Sequence, residues 1–307
     1  MAGKRMSHLE LSAQRPEWLK VRLTNQSAVD EVSGMMRELR LTTVCEEARC
    51  PNLFECWAGR TATFQLMGDI CTRHCGFCSI GKGKPGALDD SEPEHVAEAV
   101  ERLGLRHAVI TSVDRDDLAD GGATHFARTI DAVRRRNPGC AVEVLIPDFA
   151  GSEAALEIVL DAGPEVLNHN VETVPRLYRR ARHGSDFQRS KELLRRAGKA
   201  RPDRIGRTKS GCMVGLGETK DELLELFAQL READVDVLTV GQYLQPTAGQ
   251  LPIERYWSPD EFAQLREAAL AMGFGHVEAG PFVRSSYHAA DHVGPEAGPE
   301  AGAAVPG

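Results

Sequence analysis

Residues 63–78 read Thr63-Phe64-Gln65-Leu66-Met67-Gly68-Asp69-Ile70-Cys71-Thr72-Arg73-His74-Cys75-Gly76-Phe77-Cys78, a short strand-like run that empties into a loop carrying three cysteines. The run Thr63–Gly68 is the first of a series. Ala108–Val113, Ala141–Pro147, Val166–Val171, Gly211–Leu216 and Val235–Gln242 are likewise short, apolar and rich in β-branched residues, as buried strands are. Longer amphipathic segments lie between them: Glu94–Leu103, His125–Arg136, Glu153–Ala162, Asp186–Ala200 and Lys220–Glu232. This alternation specifies an α/β fold of βα units on a parallel sheet. Six units fall short of the eight that close a barrel. A partial, open (β/α)6 barrel of the TIM type fits the count, and so does a doubly wound sheet.

The loop after the first strand has the spacing Cys71-x3-Cys75-x2-Cys78. Three thiolates so close in sequence can hold three irons of a [4Fe–4S] cube and leave the fourth iron open to a small molecule. The alternative is a structural zinc with His74 as fourth ligand, although such sites usually show paired C-x2-C spacing. Upstream stands a second triplet, Cys45-x4-Cys50-x5-Cys56. Three ordinary buried cysteines are a poor reading of it, because Glu46, Glu47, Arg49, Asn52 and Glu55 surround them.

Six of the eight cysteines thus fall between positions 45 and 78. The N-terminus, Met1 to His8, is polar and lacks the apolar core of a secretory signal. Clustered thiols without such a signal point to metal or redox chemistry rather than disulfides. No run approaches the roughly 20 apolar residues of a membrane helix, so the chain reads as soluble and cytoplasmic. A net charge of −8 excludes a general nucleic-acid binder. From Arg176 to Lys209, however, 13 Lys/Arg face 3 Asp/Glu, a surface on which an acidic partner could dock.

Towards the ends, Arg15-Pro16-Glu17-Trp18-Leu19-Lys20 suggests an extended arm with an aromatic anchor, and Ala28–Leu41 a helix. Phe262–Met272 reads as the last helix and His276–Val283 as a final extended segment. Residues 289–307 are mostly Gly, Ala, Pro and Glu, a composition that does not support a packed core. The expected division is therefore 1–60 for the arm and first triplet, 61–288 for the barrel and the segment that closes it, and 289–307 for a disordered tail.

The second triplet, with Phe77 before its last cysteine, resembles the radical S-adenosylmethionine superfamily. The two triplets in order narrow the resemblance to the lipoyl synthase family. So do Arg284-Ser285-Ser286-Tyr287, the run from Thr111 to Gly122 (TSVDRDDLADGG), and Arg15-Pro16-Glu17-Trp18-Leu19. It spans about residues 10 to 288. It implies a radical enzyme with a partial (β/α)6 barrel, S-adenosylmethionine and two [4Fe–4S] clusters. By resemblance, Cys71, Cys75 and Cys78 hold the cluster that binds S-adenosylmethionine, with Phe77 near the adenine. Cys45, Cys50 and Cys56 hold an auxiliary cluster, with Ser286 rather than Ser285 as its fourth ligand. The implied reaction inserts two sulfurs, drawn from the auxiliary cluster, at C6 and C8 of an octanoyl group on a carrier-protein lysine. No side-chain acid or base can remove hydrogens from such unactivated carbons, so a cofactor must.

Implied partners are octanoylated lipoyl carrier domains (E2 subunits of 2-oxoacid dehydrogenases and the glycine cleavage H protein), a flavodoxin- or ferredoxin-type electron donor, and cluster-assembly proteins. Nucleic acid and membrane are not among them. Arg176, Arg179, Arg180 and Arg182 are the expected docking residues for the acidic carrier.

Ser112, Asp114, Glu143 and Asn170, on or beside the strands, are the expected contacts to S-adenosylmethionine. Asp114, Asp116 and Asp117 could also cap a helix, and Glu143, Asn168, His169 and Asn170 could instead satisfy the barrel interior. Cys140 and Cys212 read as ordinary partly buried residues. The rival readings are a biotin synthase-like radical enzyme, an iron–sulfur electron carrier or scaffold, and a zinc-bearing nucleic-acid module.

Overall fold

The computed structural model describes residues 16–20, 26–58, 62–201 and 203–292. Expectations for Arg15 and for tail residues 293–307 lie outside the described residues. Helix α1 (Gln26–Glu38) leads to β1 (Thr42–Thr43), α2 (Val44–Glu47) and α3 (Leu53–Ala58). The repeating part follows as β2 (Thr63–Leu66), α4 (Glu92–Leu103), β3 (His107–Ser112), α5 (Ala123–Arg136), β4 (Ala141–Leu145), α6 (Glu153–Ala162) and β5 (Val166–Asn168). It ends with α7 (Phe187–Lys199), β6 (Arg207–Val214), α8 (Lys220–Glu232), β7 (Val237–Gln242), α9 (Pro259–Ala271) and β8 (His276–Gly280).

These strands form one 8-stranded sheet in which each neighbours the next in sequence. β1 is antiparallel to β2, and every later pairing is parallel. A doubly wound sheet reverses its strand order at a switch point. An order that never reverses selects the open TIM-type barrel. The final extended segment proves to be a further parallel strand, pairing Val237 with His276 through Gly241 with Gly280.

Two boundaries differ from the sequence reading for a shared reason. Lys209 and Ser210 are fully buried and lie inside β6, so the strand begins earlier than an apolar count suggests. β5 stops at Asn168, where Asn168-His169-Asn170 turns into the barrel mouth. In both places polar side chains face the interior of a barrel too open to be filled by apolar residues alone.

The apolar core lies between the sheet and its helices, in two clusters. One contains Phe64, Ile110 and Val144, the other Val214, Leu238 and Phe262. Helices α8 and α9 start at capping boxes, Thr219 with Glu222 and Ser258 with Glu261, each satisfying two otherwise orphaned N–H groups. At the N-terminus the anchor is Leu19, which is fully buried, while Trp18 is exposed. Glu17–Leu19 form a single 3-10 turn rather than an extended arm, and that turn points the aliphatic residue inward. At the other end, Ala289–His292 form a 3-10 turn.

Candidate active site at the open mouth of the barrel

The loop from Cys71 to Cys78 leaves β2 at the C-terminal edge of the sheet, where barrel enzymes place their chemistry. Two short pairings hold it: Ile70–Cys71 with Gly81–Lys82, and His74–Cys75 with Arg182–His183. Gly76 passes between two other segments. Its N–H donates to the Ala181 carbonyl at 2.8 Å, and its carbonyl accepts from Leu251 N–H at 2.9 Å. A Cβ there would stand 3.0 Å from the Arg180 carbonyl oxygen, which explains the glycine.

Arg73 is the strut of this loop. Its side chain is 5% exposed and pairs with Asp116 at 2.7 Å, Asp148 at 2.6 Å and Asp114 at 3.4 Å. Asp116 therefore ties the loop after β3 to the cysteine loop. Asp117 instead holds Arg115, and Asp120 accepts from the N–H groups of Gly122 and Thr124 at the start of α5. Of these aspartates, Asp114 is the one that lines the cavity beside the cysteines, with Oδ2 3.6 Å from Cys71 Sγ.

Two adjoining cavities occupy the mouth. The smaller, about 160 Å³, is bounded by Cys71, Cys75, Cys78, Asp114, Asn170 and Arg182. The larger, about 550 Å³, has Cys50 and Cys78 together in its wall, with Arg284 and Ser285. Phe54, Met213, Tyr243 and Leu244 give that wall its apolar part. Phe77, Ser112, Asn170 and Glu172 belong to both. Among the described residues, Ser112 Oγ and Asn170 Oδ1 are buried there without a protein hydrogen-bond partner. Such atoms are costly unless a ligand or water satisfies them.

The first triplet sits on α2, the following turn and α3. Thr43 caps α2 by accepting from Glu46 N–H. Cys50 N–H donates to the Cys45 carbonyl at 3.0 Å. The C-terminal segment closes over this triplet. Asn52 Nδ2 donates to the Phe282 carbonyl at 2.7 Å, and the Tyr287 hydroxyl donates to Glu55 at 3.3 Å. The segment can lie so close because Gly241 has no side chain: a Cβ there would stand 2.1 Å from the Val283 carbonyl oxygen. Gly241→Ala is expected to displace the 282–287 segment and loosen whatever the first triplet holds. Iron content after anaerobic reconstitution should fall relative to the native chain, and unchanged content would refute the close-approach argument.

Burial raises the thiols of both triplets. Cys56 is pushed up to about 12 by burial, then by Cys45 and Cys50. Cys75 also reaches about 12, mainly by burial, with Asp114 and Cys78 adding to it against Arg182. Cys71 reaches about 11 through burial, Asp114 and Cys78. Thiolates that repel one another within each triplet are a donor set suited to a cationic centre, which deprotonates its thiols outright. Among the described residues no three His, Cys, Asp or Glu side chains converge on a point that would hold a single metal ion.

The structure places Phe77, Ser112, Asp114 and Asn170 in the walls of the cavities. Glu143 is a correction. It lines neither cavity but lies fully buried in the barrel interior, 2.8 Å from Lys209 Nζ. Burial would raise its carboxyl, yet Lys209 and His107 hold it below the usual carboxylate range. Arg182 is a second correction. It is 8% exposed, lines the smaller cavity and donates to the Asn170 carbonyl at 2.8 Å, so it is no surface docking residue. Arg176 and Arg180 are exposed, but ion pairs tie them to Glu222 and Glu254.

Sequence reasoning missed Arg73 and Glu172, and gave Arg182 another role. Arg73 carried a signal, a charge inside the cysteine loop. Glu172 carried none, and its importance shows only in a left-handed backbone (φ 66°) held between the two cavities.

Residues 66–230 match the Radical SAM superfamily. Over 281 residues the chain is 59% identical to the lipoyl synthase of Chloroflexus aggregans, covering 92% of this chain and 91% of that protein. The lipoyl synthase of Roseiflexus sp. (strain RS-1) is 58% identical, with 92% and 93% covered. That of Halalkalibacterium halodurans is 54% identical, with 94% and 95% covered. This chain belongs to the lipoyl synthase family.

A lipoyl synthase is a radical enzyme that inserts sulfur, and this chain is an enzyme of that kind. Its cofactors are S-adenosylmethionine and two [4Fe–4S] clusters, and its substrate is borne by a lipoyl carrier protein. Solved structures agree on the barrel. Streptococcus suis SuiB bound to its precursor peptide superposes with TM-score 0.56 at 12% identity, covering 87% of this chain and 57% of that one. Methylornithine synthase (PylB) gives 0.52 at 15% identity, with 90% and 83% covered. At these identities the likeness is one of fold. Among the described residues no helix is long and apolar enough to cross a membrane.

Proposed function

We propose that the chain inserts sulfur at C6 and C8 of a carrier-bound octanoyl group in the 550 Å³ cavity, with one cluster held on each side. The observation that carries this reading is that Cys50 of the first triplet and Cys78 of the second share one cavity wall. Cys71, Cys75 and Cys78 hold the cluster that binds S-adenosylmethionine. Cys45, Cys50, Cys56 and Ser286 hold the auxiliary one. When bound, the first cluster supplies a radical from S-adenosylmethionine, and the second is the source of sulfide.

The chain's own residues position and exclude. Ser112 Oγ and Asn170 Oδ1 offer unsatisfied polar contacts to the nucleoside. The Phe77 ring forms wall common to both cavities. The Arg182 guanidinium stands ready for the carboxylate of S-adenosylmethionine. Phe54, Met213 and Leu244 give an eight-carbon chain an apolar wall and keep water from it. His169 is held neutral, at about 4, first by burial and then by Arg182. Its ring nitrogens bond the Ile146 carbonyl and the Ser190 hydroxyl, each at 2.9 Å, so it serves as a fixed brace and not as a base.

The division into 1–60, 61–288 and 289–307 belongs to this reading. So do a cytoplasmic location, carriers of the E2 and H-protein type docking at Arg176, Arg179 and Arg180, a flavodoxin- or ferredoxin-type donor, and cluster-assembly partners. The test is anaerobic incubation with octanoylated carrier peptide, S-adenosylmethionine and reductant, followed by mass spectrometry. Gain of two sulfurs supports the reading. Consumption of S-adenosylmethionine with no sulfur in the peptide refutes it.

A further inference from the structure

A lysine and a glutamate lie fully buried in the barrel interior and line neither cavity: Lys209 of β6 and Glu143 of β4. A buried ion pair is a weak device for stability, since apolar residues of equal volume often do as well. The contacts around this one suggest another use. Lys209 Nζ donates to Glu143 Oε1 at 2.8 Å and to the Ser285 carbonyl at 2.5 Å. Glu143 is itself held: Asn168 Nδ2 donates to the same oxygen at 3.2 Å, and His107 Nε2 stands 3.4 Å from the other. Three consecutive strands, β4 to β6, therefore fix where the ammonium sits, with His107 of β3 alongside. From the cavity side Asn170 Nδ2 donates to Ser285 Oγ at 3.1 Å. Ser285 is thus held at its carbonyl and at its hydroxyl, and its carbonyl carbon is bonded to the nitrogen of Ser286.

We propose that the buried Lys209–Glu143 pair positions Ser286 for the auxiliary cluster, by fixing the Ser285 carbonyl to the barrel interior. The inference rests on the reading of Ser286 as a cluster ligand. Serine oxygen is a harder and weaker partner for iron than thiolate. A weak ligand gains most from being held in place before it binds, as partners behind metal ligands generally do. Lys209 and Glu143 touch neither cavity, so they are positioning residues, not catalytic ones.

The test uses the full chain, reconstituted anaerobically with iron and sulfide. Lys209→Met, the double variant Lys209→Met/Glu143→Gln, and Ser286→Ala as reference are compared with the native enzyme. The double variant leaves no lone buried charge and keeps the proposal testable if Lys209→Met fails to fold. The expected result is iron release from the auxiliary cluster to a chelator about 10–100-fold faster in the lysine variants. Its electron paramagnetic signal, read in a Cys71→Ala, Cys75→Ala, Cys78→Ala background, should move towards that of Ser286→Ala. With the second triplet intact, 5′-deoxyadenosine formation should stay at the native rate.

A double variant with native iron retention and native signal overturns the proposal while leaving Ser286 as ligand. Loss of both clusters in step with the unfolded fraction, in both lysine variants, marks a purely structural pair and also overturns it. If Ser286→Ala itself matches the native enzyme, the ligand reading fails and takes the proposal with it, a pattern in which the reference variant does not move.

Discussion

Cys50→Ala is expected to abolish sulfur insertion while reductive cleavage of S-adenosylmethionine continues. The two triplets are separate in sequence and in support. Cys50 lies in the turn between α2 and α3, whereas the second triplet is held by Arg73, Gly76 and the pairing with Arg182–His183. Removing one thiolate from the first triplet leaves that second framework untouched. Iron should fall from about eight per chain towards about four. Product should drop to background while 5′-deoxyadenosine persists, both read from one anaerobic assay by mass spectrometry. Cys78→Ala should remove both products, since no radical is then made. Sulfurated product from Cys50→Ala at the native rate would sink the assignment of the first triplet.

Arg73→Met is expected to cost about 3–5 kcal/mol, the usual penalty for leaving a buried charge without its partner. Asp148 is the charge left behind. Its side chain is fully buried, and among the described residues its other ion pair is with Arg189 at 3.2 Å. Burial would raise the Asp148 carboxyl, but Arg73 and weaker neighbours outweigh burial and hold it below the usual carboxylate range. A depressed carboxylate stabilises the fold above its unfolded value, and that contribution is lost as pH falls through the folded one. The deficit of Arg73→Met should therefore be full at neutral pH and shrink below about pH 4. Denaturation midpoints of the two chains at neutral and acid pH measure it. A deficit under about 1 kcal/mol at neutral pH would place Arg73 among surface ion pairs of little weight.

Much of this was legible before folding. The βα alternation is written in β-branched runs, and the thiol spacing marks two three-thiolate sites, because both depend on neighbours along the chain. Ser112, Asp114 and Asn170 sit at or just past a strand end, where the register sends the chain to the barrel mouth, whereas Phe77 is marked by its place before Cys78. Glu143 was misplaced by the same logic. It is on a strand beside the site, but a residue earlier in β4 lies deeper in the barrel, and its role was set by Lys209, 66 positions away. The start of β6 was hidden because a half-open barrel buries polar groups that periodicity counts as loop.

By itself, then, the sequence determined the kind of fold, the two sets of thiols and the chemistry those thiols permit, all of which follow from local spacing and side-chain type. Only the tertiary structure decided that the strand order never reverses, that Arg182 turns inward, and that Cys50 and Cys78 meet at one cavity beneath a segment from the far end of the chain. Those are contacts between residues tens to hundreds of positions apart. They depend on how buried charge and close backbone packing are satisfied together in three dimensions, which no local pattern encodes.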